Sequence, residues 1–470
     1  MYQVPHYIDN NKVFIVQRSE IEGRLEPEFY RPSIADLEKI IRGKSSHKLR
    51  DYALSVSGGA TPKKTEGDKY YADKEAGVPF LRVQNLNTDG TLSFDDCLYI
   101  NKETHEGMLA RSQVSQGDLL VKITGVGRMA IASVAPEGFV GNTNQHMVVV
   151  KTGNKEISKY LARYLNLDII EKIASRHSTG GTRPALDYPS VKNLPIIEGI
   201  DFSPIDRAIE LKKQKEYEAQ QLLDSIDTYI LNELGINLPG IRTDLKSRMF
   251  LVNRSELEER LDPTVYKDGI KLISNNYDNV KLSSVAYVNP TGTFKGKDIE
   301  TLISFIPMES IDEVYSEVSK LEDTTIENAS GFTKFKEGDL LWAKITPCMQ
   351  NGKSAIAKNL TNGLGCGSTE FFVMRNKDER LAIEYLHVIL HMKCVRETAM
   401  LYFGGSAGQQ RVSSAFLENF NLPLPPKGKQ IEIVNHVCAM RQRAKVLQKE
   451  GKTILENAKK EVEQMIIGDQ

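Results

Sequence analysis

The chain has little that would mark a secreted, membrane-bound or cofactor-bearing protein. Its five cysteines, Cys97, Cys348, Cys366, Cys394 and Cys438, are odd in number and form no Cys-x-x-Cys pair, so free thiols in a reducing cytosol are expected. No apolar run is long enough to span a bilayer, and Met1-Tyr-Gln-Val-Pro-His6 has no signal-peptide core, so a cytoplasmic protein without membrane contact is expected. Neither sign of charge is in excess: 61 Lys and Arg against 62 Asp and Glu leave −1, and bulk electrostatics do not advertise nucleic acid. Gly125-Val-Gly-Arg128 and Thr179-Gly-Gly-Thr-Arg183 contain neither Gly-Lys-Ser/Thr nor a full Gly-x-Gly-x-x-Gly, which argues against a nucleotide loop. Glu384, His387 and His391 fall at metal-ligand spacing, but no His-Glu-x-x-His is completed and a structural histidine pair is expected. Asn289-Pro290 continues as Thr291-Gly292, unlike an adenine-methylation motif. With no Ser/His/Asp order either, the chain is expected not to be an enzyme, and to hold no catalytic residue, metal or cofactor.

What the chain does have is a second copy of itself. Phe14-Ile-Val-Gln-Arg-Ser-Glu-Ile-Glu-Gly-Arg-Leu-Glu-Pro-Glu-Phe-Tyr30 returns as Phe250-Leu-Val-Asn-Arg-Ser-Glu-Leu-Glu-Glu-Arg-Leu-Asp-Pro-Thr-Val-Tyr266, an offset of 236 in 470 residues. Solenoid repeats run roughly 20 to 50 residues, so this is a whole-domain duplication. Lys48-Leu49 matches Lys281-Leu282, and Pro79 to Leu86 is echoed by Ser304 to Ile311. Gly117-Asp-Leu-Leu recurs at Gly338, Lys159 to Leu165 at Glu384 to Leu390, and Gly181 to Pro195 at Gln409 to Pro423. Order is kept while loops diverge, as two specificities on one scaffold would require.

Each half reads as mixed α/β, with a mostly antiparallel sheet. Val78–Val83, Asp118–Ile123, Met129–Val134 and Met147–Val150 are short, β-rich and bounded by turn residues. Ile157–Ala174 and its counterpart Ala382–Ala399 have helical spacing. Two longer helices are expected. One spans Ile205–Leu234, with Ser203 as N-cap, Pro204 at its first position and Gly235 as C-cap. The other spans Lys429–Ile467, with a coiled-coil stripe through Val437, Met440, Ala444, Leu447, Gly451, Ile454 and Ala458. The expected domains are 1–200, a helix and linker at 201–240, 241–426, and a helix at 427–470. Antiparallel pairing of the helices is the simplest way to cover their apolar faces; docking to another protein is the rival use.

These residues, in this order, resemble the specificity (S) subunit of type I restriction–modification systems across essentially the whole chain. The marks are Arg24-Leu-Glu-Pro-Glu-Phe-Tyr30, Ser57-Gly-Gly-Ala-Thr-Pro62, Gly117-Asp-Leu-Leu before a Gly-rich turn, Asn142-Thr-Asn-Gln145, Thr179-Gly-Gly-Thr-Arg183, and Asn421-Leu-Pro-Leu-Pro-Pro426 leading to Gln430. The resemblance implies two target-recognition domains, each reading one half of a split double-stranded DNA site. It implies that the two helices act as a ruler and as the dock for methyltransferase subunits, two of them. Restriction and translocase subunits would join through the complex, with S-adenosylmethionine, ATP and Mg in the partners. In the second half Asn289-Pro-Thr-Gly-Thr-Phe294 stands where Ser-Gly-Gly-x-Thr-Pro would be, and Pro195–Pro204 departs from the Pro-rich, Gln-led entry at Pro423–Gln430.

If DNA is the ligand, loop Arg, Lys, Asn and Gln can read base edges, while Ser, Thr and backbone amides hold phosphates. The candidates in the first half are Thr61, Lys63, Lys64, Arg82, Gln84, Asn85, Lys122, Arg128, Asn144, Gln145 and Arg183. In the second they are Lys344, Thr346, Gln350, Asn351, Ser368, Thr369, Gln409 and Arg411. Some could instead be turn formers or paired ions, Asn144 and Arg82 among them. Arg42 to Lys64 holds six basic residues against Asp51 alone, a patch able to neutralise phosphates. The candidate partner-binding residues are Leu223, Ile226, Ile230, Val437, Met440, Leu447 and Ile454. Trp342 lies in a β-rich run and is expected in the core. Other DNA-recognition subunits, or a coiled-coil scaffold without DNA specificity, are the alternatives.

Overall fold

The computed structural model describes residues 7–45, 47–63, 67–238, 250–252, 254, 262–405 and 409–468. Lys64, about half of the second copy of the opening motif (residues 253 and 255–261) and the expected boundary at 240/241 lie outside them. The chain forms two compact units, Met1–Lys215 with Gln448–Gln470, and Glu216–Leu447. Both divisions fall inside the long helices, so each unit owns part of each helix instead of ending where a helix begins.

In the first unit one antiparallel sheet is ordered Ser55–Gly58, Met147–Lys151, Leu119–Lys122, Ala132–Val134. The other is ordered Leu98–Ile100, Val78–Leu81, Val140–Thr143, Gln113–Ser115, and its middle pair is parallel. The second unit repeats this strand for strand. Its first sheet runs Ala286–Val288, Phe371–Asn376, Leu340–Ala343, Ser354–Ile356. Its second runs Glu322–Thr325, Leu302–Ile306, Leu364–Gly367, Thr333–Lys336, with the same parallel middle pair. The duplicated sequence is therefore a duplicated α/β fold.

Side chains alternate across a strand, and here both faces of the first sheet are covered. Leu119, Val121, Val148 and Val150 pack with Leu161, Leu165 and Ile170 of the helical layer. Leu120, Met147 and Val149 pack the other way, with Leu81 and Val114 of the second sheet. Burial on both faces explains why Met147-Val-Val-Val150 is an unbroken apolar run. In the second unit Leu340, Trp342, Phe372 and Met374 join the helical core, while Leu341, Phe371 and Val373 join Ile306 and Phe335. Trp342 is 1% exposed, with Phe372 and Phe416 each at 6.4 Å, so it belongs to the core as expected.

Three expectations are corrected. The helix read over Ile157–Ala174 is two, Lys155–Leu165 and Asp168–Arg176. Between them Asn166 turns back to the sheet: its side-chain oxygen accepts from Ala132 N–H at 3.2 Å and its amide donates to Ala132 C=O at 2.7 Å. The counterpart divides likewise, into Ile383–His391 and Lys393–Met400. The strand read from Met129 begins only at Ala132, because Ala130 adopts φ +54°.

The central helix is Ser203–Glu233. Its N-terminal carboxylate cap is Asp201, not Ser203: Asp201 accepts from the Ser203 N–H and hydroxyl, each at 2.9 Å. Gly235 at φ +61° closes its end, with Ile236 N–H on Leu231 C=O and Gly235 N–H on Asn232 C=O. The second long helix, Lys427–Ile467, starts two residues earlier than expected. Gln430, fully buried, ties it to its unit: its oxygen accepts from Ala382 N–H and its amide donates to Arg380 and Pro425 carbonyls, all at 2.8 Å. That accounts for the Gln-led entry.

The helices pair antiparallel within each unit. In the first, Lys215 bridges to Glu450 at 2.6 Å, and a Cβ on Gly451 would lie 3.3 Å from the Lys212 Cα. In the second, Ala219 packs on Ala444 and Leu447, Tyr229 stacks on His436 at 4.1 Å, and Lys429 meets Glu233. The apolar stripe is thus consumed inside the chain. Ile226, Ile230, Val437 and Leu447 are buried, and Leu223, Met440 and Ile454 pack half-buried on the same cores. These seven side chains cover the chain's own helices, and a partner would need a different face. Gly451→Leu is expected to destabilise by about 1–3 kcal/mol in denaturant melts, through overpacking against Lys212. Gly428→Ala, which opens onto empty space, should be neutral or slightly stabilising.

Candidate nucleic-acid interface

Strand ends gather the candidate residues of the first unit. Val78–Leu81 and Val140–Thr143 run parallel and finish together, and Asn144 N–H reaches Leu81 C=O at 3.2 Å. Lys122, at the end of its strand, pairs with Met147, at the start of its own. Ile123 N–H donates to His146 C=O at 2.9 Å, Leu186 N–H to Ile123 C=O at 2.7 Å, and Gly125 N–H to Pro184 C=O at 3.0 Å. Loops 58–63, 82–85, 123–128, 144–146 and 179–186 therefore share one end of the unit.

The Ser57-Gly58-Gly59 motif is a packing device. A Cβ on Gly59 would fall 1.8 Å from the Thr143 carbonyl oxygen, and one on Gly58 1.8 Å from the Tyr188 hydroxyl. Only glycine lets this loop lie flat against 143–145. There the exposed Thr61 hydroxyl hydrogen-bonds the exposed Gln145 side chain. In the second unit Asn289 takes the place of Ser57 by strand register, at φ +52°, with its side chain accepting from Val373 N–H at 3.1 Å.

Thr61, Lys63, Gln84, Gln145 and Arg183 present exposed side chains at or beside this end. Arg183 stands close enough to His146 that its charge, second to burial, holds that imidazole below its usual range. Other candidates are spent on the fold. Asn85 is fully buried, accepting from Arg82 N–H at 2.7 Å and donating to Ser93 C=O at 3.0 Å. Asn144 shapes a turn by accepting from His146 N–H at 3.1 Å. Lys122 is 3% exposed, donates to Val126 C=O at 2.8 Å, and burial lowers its ammonium pKa. Arg128 is bound to Asp168 and to Asn166 C=O, and Arg82 donates to Asp96 C=O at 2.5 Å. None of these five is available without rearrangement.

The second unit assembles the matching loops. Lys344 N–H donates to Glu370 C=O at 2.9 Å, Thr346 N–H to Gln410 C=O at 3.0 Å, and Val412 N–H to Lys344 C=O at 2.9 Å. Those bonds set Gln409 equivalent to Arg183, two residues from the alignment that paired Arg183 with Arg411. They also match Ile123 to Lys344, the same offset that relates Gly117 to Gly338. Arg411 is exposed but forked onto Glu370 at 2.7 and 2.9 Å, an exposed pair that a phosphate could displace cheaply. Asn351, Thr369 and Gln409 are exposed, Lys344 lies half-buried with its ammonium 5.5 Å from the Phe372 ring, and Ser368 bonds Glu370 N–H at 3.2 Å. The Thr346 hydroxyl is buried without a partner, and the Gln350 main-chain carbonyl accepts from the Arg396 guanidinium.

Sequence reasoning missed what the opening motif does. Arg24 donates to Ser178 C=O at 2.8 Å, just before the 179–186 loop, and lies 4.5 Å from the Phe29 ring. Arg176 lies 4.4 Å from the same ring and pairs with the buried Glu38. Tyr30 donates to Arg24 C=O at 2.8 Å. The motif buttresses the base of a loop. The signal was there, in an Arg and a Tyr repeated six residues apart, Arg24 and Tyr30 as Arg260 and Tyr266, but the partner lies about 150 residues away. Among the described residues no group of three His, Cys, Asp or Glu could hold a metal, and no helix is long and apolar enough to cross a membrane. His387 is buried and bonds Ser354 at 3.1 Å, and His391 is half-buried and bonds Ser316 at 3.0 Å.

Residues 275–461 match the family described as type I restriction modification DNA specificity domain. The chain is 32% identical over 201 residues to the type I restriction enzyme EcoEI specificity subunit of Escherichia coli, covering 41% of this chain and 32% of that protein. It is 31% identical over 216 residues to the EcoAI specificity subunit of the same organism, covering 45% and 34%. The chain thus aligns with about a third of the length of the curated relatives it matches. A crystal structure of the HsdS subunit from Thermoanaerobacter tengcongensis aligns over 90% of this chain and 96% of that one, at 14% identity and a TM-score of 0.33.

Proposed function

From the match of residues 275–461 to the type I restriction modification DNA specificity domain, we propose that the chain is a non-catalytic DNA-specificity subunit reading a bipartite duplex site. One observation carries this. The half outside the matched segment repeats the fold of the matched half strand for strand, and each half gathers its polar loops at the same strand ends. Two such readers with different loops suit two different half-sites. In the first, Lys63 and Arg183 supply charge for phosphates or purine edges, with Thr61, Gln84 and Gln145 beside them. In the second, Lys344, Arg411, Asn351, Thr369 and Gln409 do the same work.

Methyl transfer and cleavage belong to partners: methyltransferase subunits, two of them, and restriction and translocase subunits through the complex. S-adenosylmethionine, ATP and Mg bind there and not here. The site of action is the cytoplasm. The long helices act as the ruler. A helix of 31 residues is about 46 Å long, on the scale of one DNA turn. Adding about four residues, roughly one helical turn, is expected to lengthen the unread spacer by about one or two base pairs. Both helices must be lengthened together, since Lys215–Glu450 and Ala219–Ala444 contacts lock their register. Sequencing methylated sites in cells carrying the variant checks this, and an unchanged spacer would count against the ruler.

A further inference from the structure

The second unit contains a cavity of about 460 Å³ that DNA reading does not use. It opens between the second long helix, the helix Ile383–His391 and the segment around Tyr315. Its charged groups nearly all pair off. Lys445 holds Glu317 at 2.7 Å, and Lys358 faces Glu384 at 3.9 Å. Arg441 does not. Its guanidinium has no hydrogen-bond or ion-pair partner among the described residues, and its Nε is sealed from solvent unsatisfied. Two acids reach it with their fields: Glu317, which Lys445 already holds, and Asp227, which is shared with Arg396 and accepts from Lys393 N–H at 2.8 Å. Neither carboxylate forms an ion pair with Arg441 among the described residues.

A half-buried guanidinium with its Nε sealed and unsatisfied is costly, and a chain that keeps one in the wall of a cavity gains when something anionic enters. The guanidinium is planar and presents a fork that fits carboxylate or phosphate oxygens in pairs. The neighbouring wall includes Leu321, Val388 and Val434, which would cover an apolar body but offer an ion nothing. His387, also on the wall, is kept neutral: burial first, then the charge of Arg441, pushes its pKa down to about 3. The unbalanced charge of the cavity is therefore that of Arg441.

We propose that this cavity binds a small organic anion, a carboxylate or phosphate group carried on an apolar body, and that Arg441 grips the charged end. The site is separate from the DNA-reading loops, and its test does not depend on DNA. The full chain is titrated calorimetrically with inorganic phosphate, benzoate and phenyl phosphate, against chloride at matched ionic strength. Phenyl phosphate or benzoate is expected to bind, and Arg441→Gln to weaken binding about tenfold or more. Lys358→Glu, an exposed change at the rim that leaves the fold intact, is expected to weaken it several-fold. Binding of inorganic phosphate as well would mean that the fork alone suffices; binding of the aromatic anions only would mean that the apolar wall contributes. Both results support the site. Absence of binding up to about 10 mM, or equal binding by the native chain and both variants, would overturn it.

Discussion

Changing Lys63, Gln145 and Arg183 together to alanine is expected to weaken binding to the native DNA site by about a hundredfold or more, while leaving stability within about 0.5 kcal/mol. All three side chains are exposed at the shared loop end. A good base contact carries about 1–3 kcal/mol of discrimination, and each lost phosphate contact removes about one unit of salt slope. Filter binding across a salt series, with the methyltransferase subunits present, measures both. The slope should fall by up to about two if Lys63 and Arg183 both meet phosphate. The matching change at Asn85, Lys122 and Asn144 should behave differently: those side chains are internal props, so stability falls first and DNA affinity follows. Normal binding by the exposed triple variant would place the reading surface elsewhere.

Glu38→Gln is expected to cost about 2–3 kcal/mol, because it removes the buried carboxylate shared by half-buried Arg176 and His177 and exposed Arg42, not one partner of a surface pair. Glu38 is 3% exposed and accepts from Arg42 at 2.6 Å, from His177 at 2.8 Å and from Arg176. Burial raises its carboxyl pKa, but the bonds and charge of His177, Arg176 and Arg42 outweigh that and hold it at about 2. The folded pKa is thus depressed below the unfolded value of about 4.3. Its contribution is complete above that value and is lost as pH falls toward about 2. Urea melts between pH 7 and pH 2 should show the native chain losing this increment in that window, and the variant lacking it at every pH. Because Arg176 and Arg24 share Phe29, and Arg24 holds Ser178, the variant should also loosen the 179–186 loop and weaken DNA binding.

The duplication and the mixed fold were legible because apolar runs such as Leu119–Val121 and Val148–Val150 must sit in a sheet covered on both faces. The long helices were legible for the same reason, a 3-4 stripe that has to be covered. The site was only partly so. Residue type alone cannot separate Gln145, exposed at the loop end, from Asn85, sealed and bonding its own turn; that depends on which loops the strand ends bring together. The split at Asn166 was hidden because its cause, the Ala132 backbone, is distant in sequence. The two-residue shift between Arg183 and Arg411 was hidden because two segments of equal length need not share a register.

The most direct test of two independent readers is to map methylated sites in cells that carry the chain with its methyltransferase subunits, in three versions. These are the native chain, the Lys63/Gln145/Arg183 variant, and a Lys344→Ala, Arg411→Ala variant. The expected result is an interrupted motif in which the first variant alters or loses one half and the second alters or loses only the other. A continuous motif, or two variants that disturb the same half, would contradict it.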